Sequence, residues 1–160
     1  MNKLWVLIIS IAVAGLTACG FSPVYKEGSQ VGKALHEIRL ADPTSEIGFK
    51  FLPQMQRKFP QASDATINMK YSISLAEREL GDRNIVINAH MSYNLTDLRS
   101  GSLITSGQVS SNTSFTSSTS IVGDMINEAS RDHALNRLAE MLAQAAYHEI
   151  IMKLAAIKAN

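Results

Sequence analysis

One thiol, four imidazoles and a scatter of basic side chains are the groups in this 160-residue chain best suited to chemistry. The thiol belongs to Cys19, the only cysteine. It follows an apolar run, Leu4 to Leu16, interrupted only by Ser10 and Gly15. A thiol in that place is either incidental or a site for acylation. The imidazoles of His36, His90, His133 and His148 are scattered. His133 and His148 are too far apart to ligate a metal from adjacent helical turns, and the neighbours Asp132 and His133 point to different sides of a helix. There is no glycine-rich phosphate loop, serine elbow or metal-ligand cluster. No nucleophile, base and orienting group can be assembled, so the reading is of a non-enzyme with no catalytic residue, metal site or cofactor.

The segment around Cys19 is the more telling one. It has a basic start at Lys3, then an apolar run too short for a comfortable membrane span, then small residues. Leu16-Thr17-Ala18-Cys19 resembles a bacterial lipobox. That resemblance implies cleavage before Cys19, two acyl chains on its sulfur and a third on the new amine. The alternative is a plain secretory signal or a short membrane helix with an incidental cysteine. The basic-then-apolar leader that closes on the sole cysteine favours the lipoprotein. Several acyl chains anchor stably where one binds marginally, at about 0.8 kcal/mol per buried methylene. The residue after Cys19 is Gly20. In the sorting pattern this resembles, Asp there favours the inner membrane, so Gly20 points to the inner leaflet of an outer membrane.

These features divide the chain into a signal peptide at 1–18, a lipidated tether at 19–33 and one domain at 34–160. Taking away Lys3 leaves basic and acidic residues equal at 14 each, so the mature chain is formally neutral. No overall basic field suggests nucleic acid. The remaining length, about 140 residues, suits one domain with a single core, and no second apolar run approaches a membrane helix.

The elements follow from periodicity. Pro23 forces an extended path in the tether. Ala34 to Ala41 reads as a first strand, with His36, Ile38 and Leu40 on one face. Asp42-Pro43-Thr44-Ser45 supplies turn and cap chemistry. Ile47, Phe51, Leu52, Met55 and Phe59 form a helical stripe that Pro60 ends, although Gly48 and Pro53 argue against a regular helix. Ala65 to Glu77 alternates cleanly, with Ile67, Met69, Tyr71, Ile73 and Leu75 on one face. Ile85 to Leu95 repeats the alternation, and a third long strand runs from about Leu103 to Thr116. Ser110 to Ser120 is a hydroxyl-rich strand end and loop, or else a surface for a partner strand or a sugar. From about Asp124 to Lys158 the chain is helical, with Leu135, Leu138, Leu142, Ala146 and Ile150 as the stripe that covers the apolar side of the meander.

Residues Leu16 to Tyr25, Leu-Thr-Ala-Cys-Gly-Phe-Ser-Pro-Val-Tyr, resemble the opening of the LPS-assembly lipoprotein family (LptE, also RlpB), notably its alphaproteobacterial members. Arg-Asp-x-Ala-Leu at Arg131 to Leu135 and the order of elements resemble it more loosely. The resemblance implies an α+β fold: a two-layer α/β sandwich whose antiparallel or mixed four-stranded sheet is covered on one face by two helices. It implies the role of plug and assembly partner of the LptD barrel, inside the lumen at the outer membrane, where lipopolysaccharide is inserted at the cell surface. Lipopolysaccharide is anionic at its phosphates, so Lys70, Arg78, Arg83 and Arg99, on or beside the polar face and turns, are the candidate contacts. A generic lipoprotein adaptor or pilot for another pore is the alternative.

Overall fold

The computed structural model describes residues 30–59, 64–120 and 122–159. The leader, Cys19, the first part of the tether and the stop expected at Pro60 lie outside them. The elements run α1 (Gln30–His36), β1 (Ile38–Leu40), α2 (Glu46–Gln56), β2 (Ile67–Leu80), β3 (Asn84–Asp97), β4 (Leu103–Thr116) and α3 (Gly123–Ala159). The sheet order is β1-β2-β3-β4. β1 pairs in parallel with the start of β2, and the other two pairings are antiparallel. The sheet is therefore mixed and open, with helices packed on it in an α+β fold.

Alternation explains the three long strands. One side chain in two turns inward, and Ile67, Met69, Ile87, Ala89, Met91, Tyr93 and Leu95 are buried there. Gly81 and Gly101 close the two hairpins at φ +70 and +71, values that a side chain would oppose. On α3, Leu135, Leu138, Leu142 and Ile150 are fully buried, with Ala134, Ala139, Ala143 and Ala146 between them. Those small residues let the helix lie close to β4, which Gly107 makes closer still. A methyl group at Gly107 would overlap the Tyr93 hydroxyl, its cross-strand neighbour, and the Glu149 carboxylate of α3.

Two expectations are corrected. Ala34 to His36 are helical, and only Ile38–Leu40 is strand. Ala34 and Leu35 are adjacent and both buried, which a helix packed on α3 allows and a half-exposed strand does not. α2 is also regular through Pro53. Pro53 is exposed in the last turns, where a missing N–H costs one bond, and Arg57 N–H still reaches the Pro53 carbonyl. Gly48 sits in the first turn because its N–H bonds the Ser45 hydroxyl of the N-cap at 3.2 Å, and the cap and Pro43 crowd the place where a Cβ would stand.

The sheet's edges differ. β4 carries no charged residue from Leu103 to Thr116, yet α3 shields its edge: Lys153 donates to the Ser106 carbonyl and Arg137 to that of Ser114 at 3.0 Å. Beyond Met69, β2 has no strand on its outer edge among the described residues, and its end is guarded by the charges of Glu77, Arg78 and Glu79.

Candidate functional site

Among the described residues, nothing covers the outer face of the sheet. Its residues are the alternate set of the same strands: Ser72 and Ser74 from β2, Asn88, His90, Ser92 and Asn94 from β3, and Gln108, Ser110 and Asn112 from β4. All but the half-buried Asn88 are exposed. They hydrogen-bond sparingly among themselves. Ser72 and Ser92 share a hydroxyl contact of 2.9 Å, and the Ser74 hydroxyl donates to the His90 carbonyl at 3.3 Å. An open cleft of about 460 Å³ lies over Ser72, Ser74, His90, Ser92, Gln108 and Ser110. The middle of the face is set with polar side chains that donate and accept, with the charges of Lys70 and Arg78 towards its two ends, so the middle can match another polar surface with little desolvated charge.

The sequence-predicted basic residues fall into two groups. Arg78 and Arg83 share the end of the β2–β3 hairpin. Arg99 lies in the β3–β4 turn at the other end, and Lys70, opposite Asn94, stands nearer to that turn. The strand between the two turns, β3, has 14 residues. At roughly 3.4 Å per residue the turns are about 45 Å apart, so one phosphate group cannot meet Arg83 and Arg99 together. The Arg99 turn is firmly built. Asp97 Oδ1 accepts from the N–H groups of Arg99 and Ser100, each at 2.8 Å, and from the Ser100 hydroxyl. Those hydrogen bonds, Ser100 N–H first, hold the Asp97 carboxyl below the usual range. Cys19 lies outside the described residues.

A second cleft, of about 430 Å³, lies at the start of α3 beside Glu46, Glu128, Arg131, Asp132 and His133. Several of its charges are already used to tie elements together. Arg131 bridges Glu46 of α2 at 3.1 Å and Glu77 of β2 at 2.9 Å. Asp132 pairs with Lys50, whose hydrogen bond lowers the Asp132 carboxyl, and also accepts from Asn136. The Arg-Asp-x-Ala-Leu pattern therefore has a structural job here: its charges clamp α3 to α2 and β2, and Ala134 and Leu135 enter the core. Among the described residues no three His, Cys, Asp or Glu side chains gather as for a metal, and no helix is long and apolar enough to cross a membrane.

Sequence reasoning missed Gly107. A glycine inside a strand pattern signals a close approach, and here it admits the Tyr93 ring edge and Glu149. Burial, with the adjacent Glu149 carboxylate, pushes the Tyr93 hydroxyl well above its ordinary value.

No family model matches the chain, and no curated protein does. Among solved structures, a Caulobacter crescentus protein provisionally named a lipoprotein aligns over 80% of this chain and 97% of its own, at 15% identity and a TM-score of 0.67. A minor lipoprotein of Acinetobacter baumannii aligns over 72% and 88%, at 12% identity and a TM-score of 0.50. The rare lipoprotein B of Shewanella oneidensis aligns over 77% and 95% at 10% identity, but its TM-score of 0.38 is too low to support an argument. At such identities the likeness is one of fold: this open four-stranded α+β architecture is one that solved lipoproteins also adopt.

Proposed function

We propose that this chain is a lipid-anchored, non-catalytic partner of an LptD-type outer-membrane β-barrel, seated in the barrel lumen and helping to pass lipopolysaccharide to the cell surface. The observation that carries the reading is the outer sheet face, uncovered among the described residues and set across the middle of three strands with polar donors and acceptors, Lys70 and Arg78 lying towards its ends. Barrel lumens are polar, and the middle of such a face can pair with one without burying lone charges. The lipobox-like Leu16 to Cys19 and the Cys19-Gly20-Phe21 opening supply the anchor and its address. A fold shared with solved lipoproteins is in keeping with it.

For lipopolysaccharide phosphate the basic residues offer two separate contacts, Arg78 with Arg83 at one end and Arg99, with Lys70 nearer to it, at the other. Binding titrations of Arg83→Glu and of Arg99→Glu should therefore differ, with one of the two keeping wild-type affinity. Wild-type affinity should fall with salt, because exposed charges are screened over roughly 8–10 Å at physiological ionic strength.

Depletion of the protein tests the function. Folded barrel and surface lipopolysaccharide should fall together. Normal levels of both after depletion would remove the barrel partnership and leave a general lipoprotein adaptor or pilot.

A further inference from the structure

The two ends of the sheet are not equivalent with respect to the tether. The described chain begins at Gln30, and α1 leads directly into β1. At that point three segments meet. Ile38 pairs with Ile67, and Ile67 with Asp97. Thr66 N–H donates to the Glu37 carbonyl at 3.1 Å, and Leu98 N–H to the Thr66 carbonyl at 2.8 Å. The chain therefore enters the domain at the end that carries the β3–β4 turn. Ten residues, Gly20 to Ser29, separate Cys19 from Gln30. Fully extended, that tether reaches at most about 40 Å. The β2–β3 turn lies about 45 Å further along the sheet, so the tether bounds the distance of the entry end from the bilayer directly and that of the far end only through the tilt of the domain.

Exposed apolar side chains occur at both ends, Leu80, Val122, Met125 and Ile126 at the far one, but only at the entry end do they flank a turn beside the tether. Leu98 and Leu103, the two shoulders of the β3–β4 turn, are 51% and 60% exposed. Between them stand Arg99, Ser100, Gly101 and Ser102. The Asp97 carboxylate is occupied by the turn's own N–H groups and the Ser100 hydroxyl. Lys33 and Arg39, also exposed, lie on the elements that enter at this end, and the acidic Asp64 lies there too. Two large apolar side chains beside a cation, on a turn held rigid at its base, suit the boundary between headgroups and acyl chains.

We propose that the β3–β4 turn is a membrane-contact tip at the end of the domain that protrudes from the lumen, in which Leu98 and Leu103 enter the headgroup layer of the phospholipid leaflet that holds Cys19 and Arg99 meets lipid phosphate. The proposal rests on the lipid anchor of the proposed function. Contact at the tip fixes the tilt of the domain relative to the membrane, which an extended tether alone would leave free.

The chain's only tryptophan, Trp5, is in the leader, so the mature protein offers a clean background. Leu103→Trp places one reporter on the tip, and Met125→Trp places one on the exposed start of α3, towards the other end. Each lipidated protein is reconstituted in phosphatidylethanolamine–phosphatidylglycerol vesicles free of lipopolysaccharide, floated on a density gradient and read by fluorescence. The expected result is flotation of both, with a blue shift and quenching by brominated acyl chains for Leu103→Trp alone. Leu98→Trp should repeat it on the other shoulder, and adding Arg99→Glu should reduce the shift. Floated protein whose tryptophan at 98 and at 103 emits as in water, or shifts no more than at 125, overturns the tip and leaves the anchor standing. Failure to float, with unmodified Cys19 by mass spectrometry, overturns anchor and tip together.

Discussion

The inner and outer faces of the sheet are built from the same three strands, and every second residue changes sides. Inward, Met69, Ile87, Ala89 and Leu95 lose all contact with water beneath α2 and α3. Outward, Ser74, Ser92, Asn94 and Ser110 remain exposed beside them. The first set is fixed by volume: each large apolar side chain contributes roughly 1.5–3 kcal/mol by leaving water, and its neighbours set its shape. The second set is constrained by very little within the domain. The difference separates the residues that make the fold from those free to meet a partner.

The largest effect should come from breaking the covered side. Leu138 is fully buried on α3, and Leu138→Ala should cost about 2–5 kcal/mol by the urea midpoint. An unchanged midpoint would mean that α3 does not cover the sheet. Gly107→Ala should cost about 1–3 kcal/mol, because the added methyl group overlaps Tyr93 and Glu149. Tyr93→Phe in the same protein should recover part of that loss by removing the crowded hydroxyl; no recovery would place the strain elsewhere.

Smaller effects should come from the turn and the outer face. The Asp97 carboxyl is lowered in the folded state, so its contribution is present above the ordinary aspartate range and lost as pH falls through the lowered value. Asp97→Ala should therefore be less stable than wild type near neutral pH, and the gap should close in acid, as followed by thermal unfolding across pH. Ser72→Ala with Ser92→Ala should change stability by no more than about 0.5 kcal/mol, since the pair is exposed. A large loss there would show that the outer face also holds the fold.

Much of this architecture was legible because one face of the sheet is covered and the other is not. That asymmetry writes a period of two into Ile67 to Leu75 and Ile85 to Leu95, and α3 writes its own stripe from Leu135 to Ile150. The start of the domain was less legible. His36, Ile38 and Leu40 alternate like a strand, but the adjacent buried pair Ala34 and Leu35 belongs to a helix, and a three-residue parallel strand leaves almost no pattern. Pro53 misled because a missing N–H matters less near an exposed helix end than in a helix interior. The basic residues were legible as exposed charges, but not their separation: it depends on the full length of β3, which carries Arg83 and Arg99 to opposite ends. The tie of Arg131 to Glu46 and Glu77 joins residues distant in the chain, so only the fold reveals it.

The central claim is that the uncovered sheet face meets an outer-membrane barrel. A photo-reactive residue placed at Ser92, at the middle of that face, tests it in intact cells. The account predicts a cross-link from position 92 to an LptD-type barrel, identified by mass spectrometry after outer-membrane purification. A protein that reaches the outer membrane but gives no barrel adduct from position 92 would contradict it.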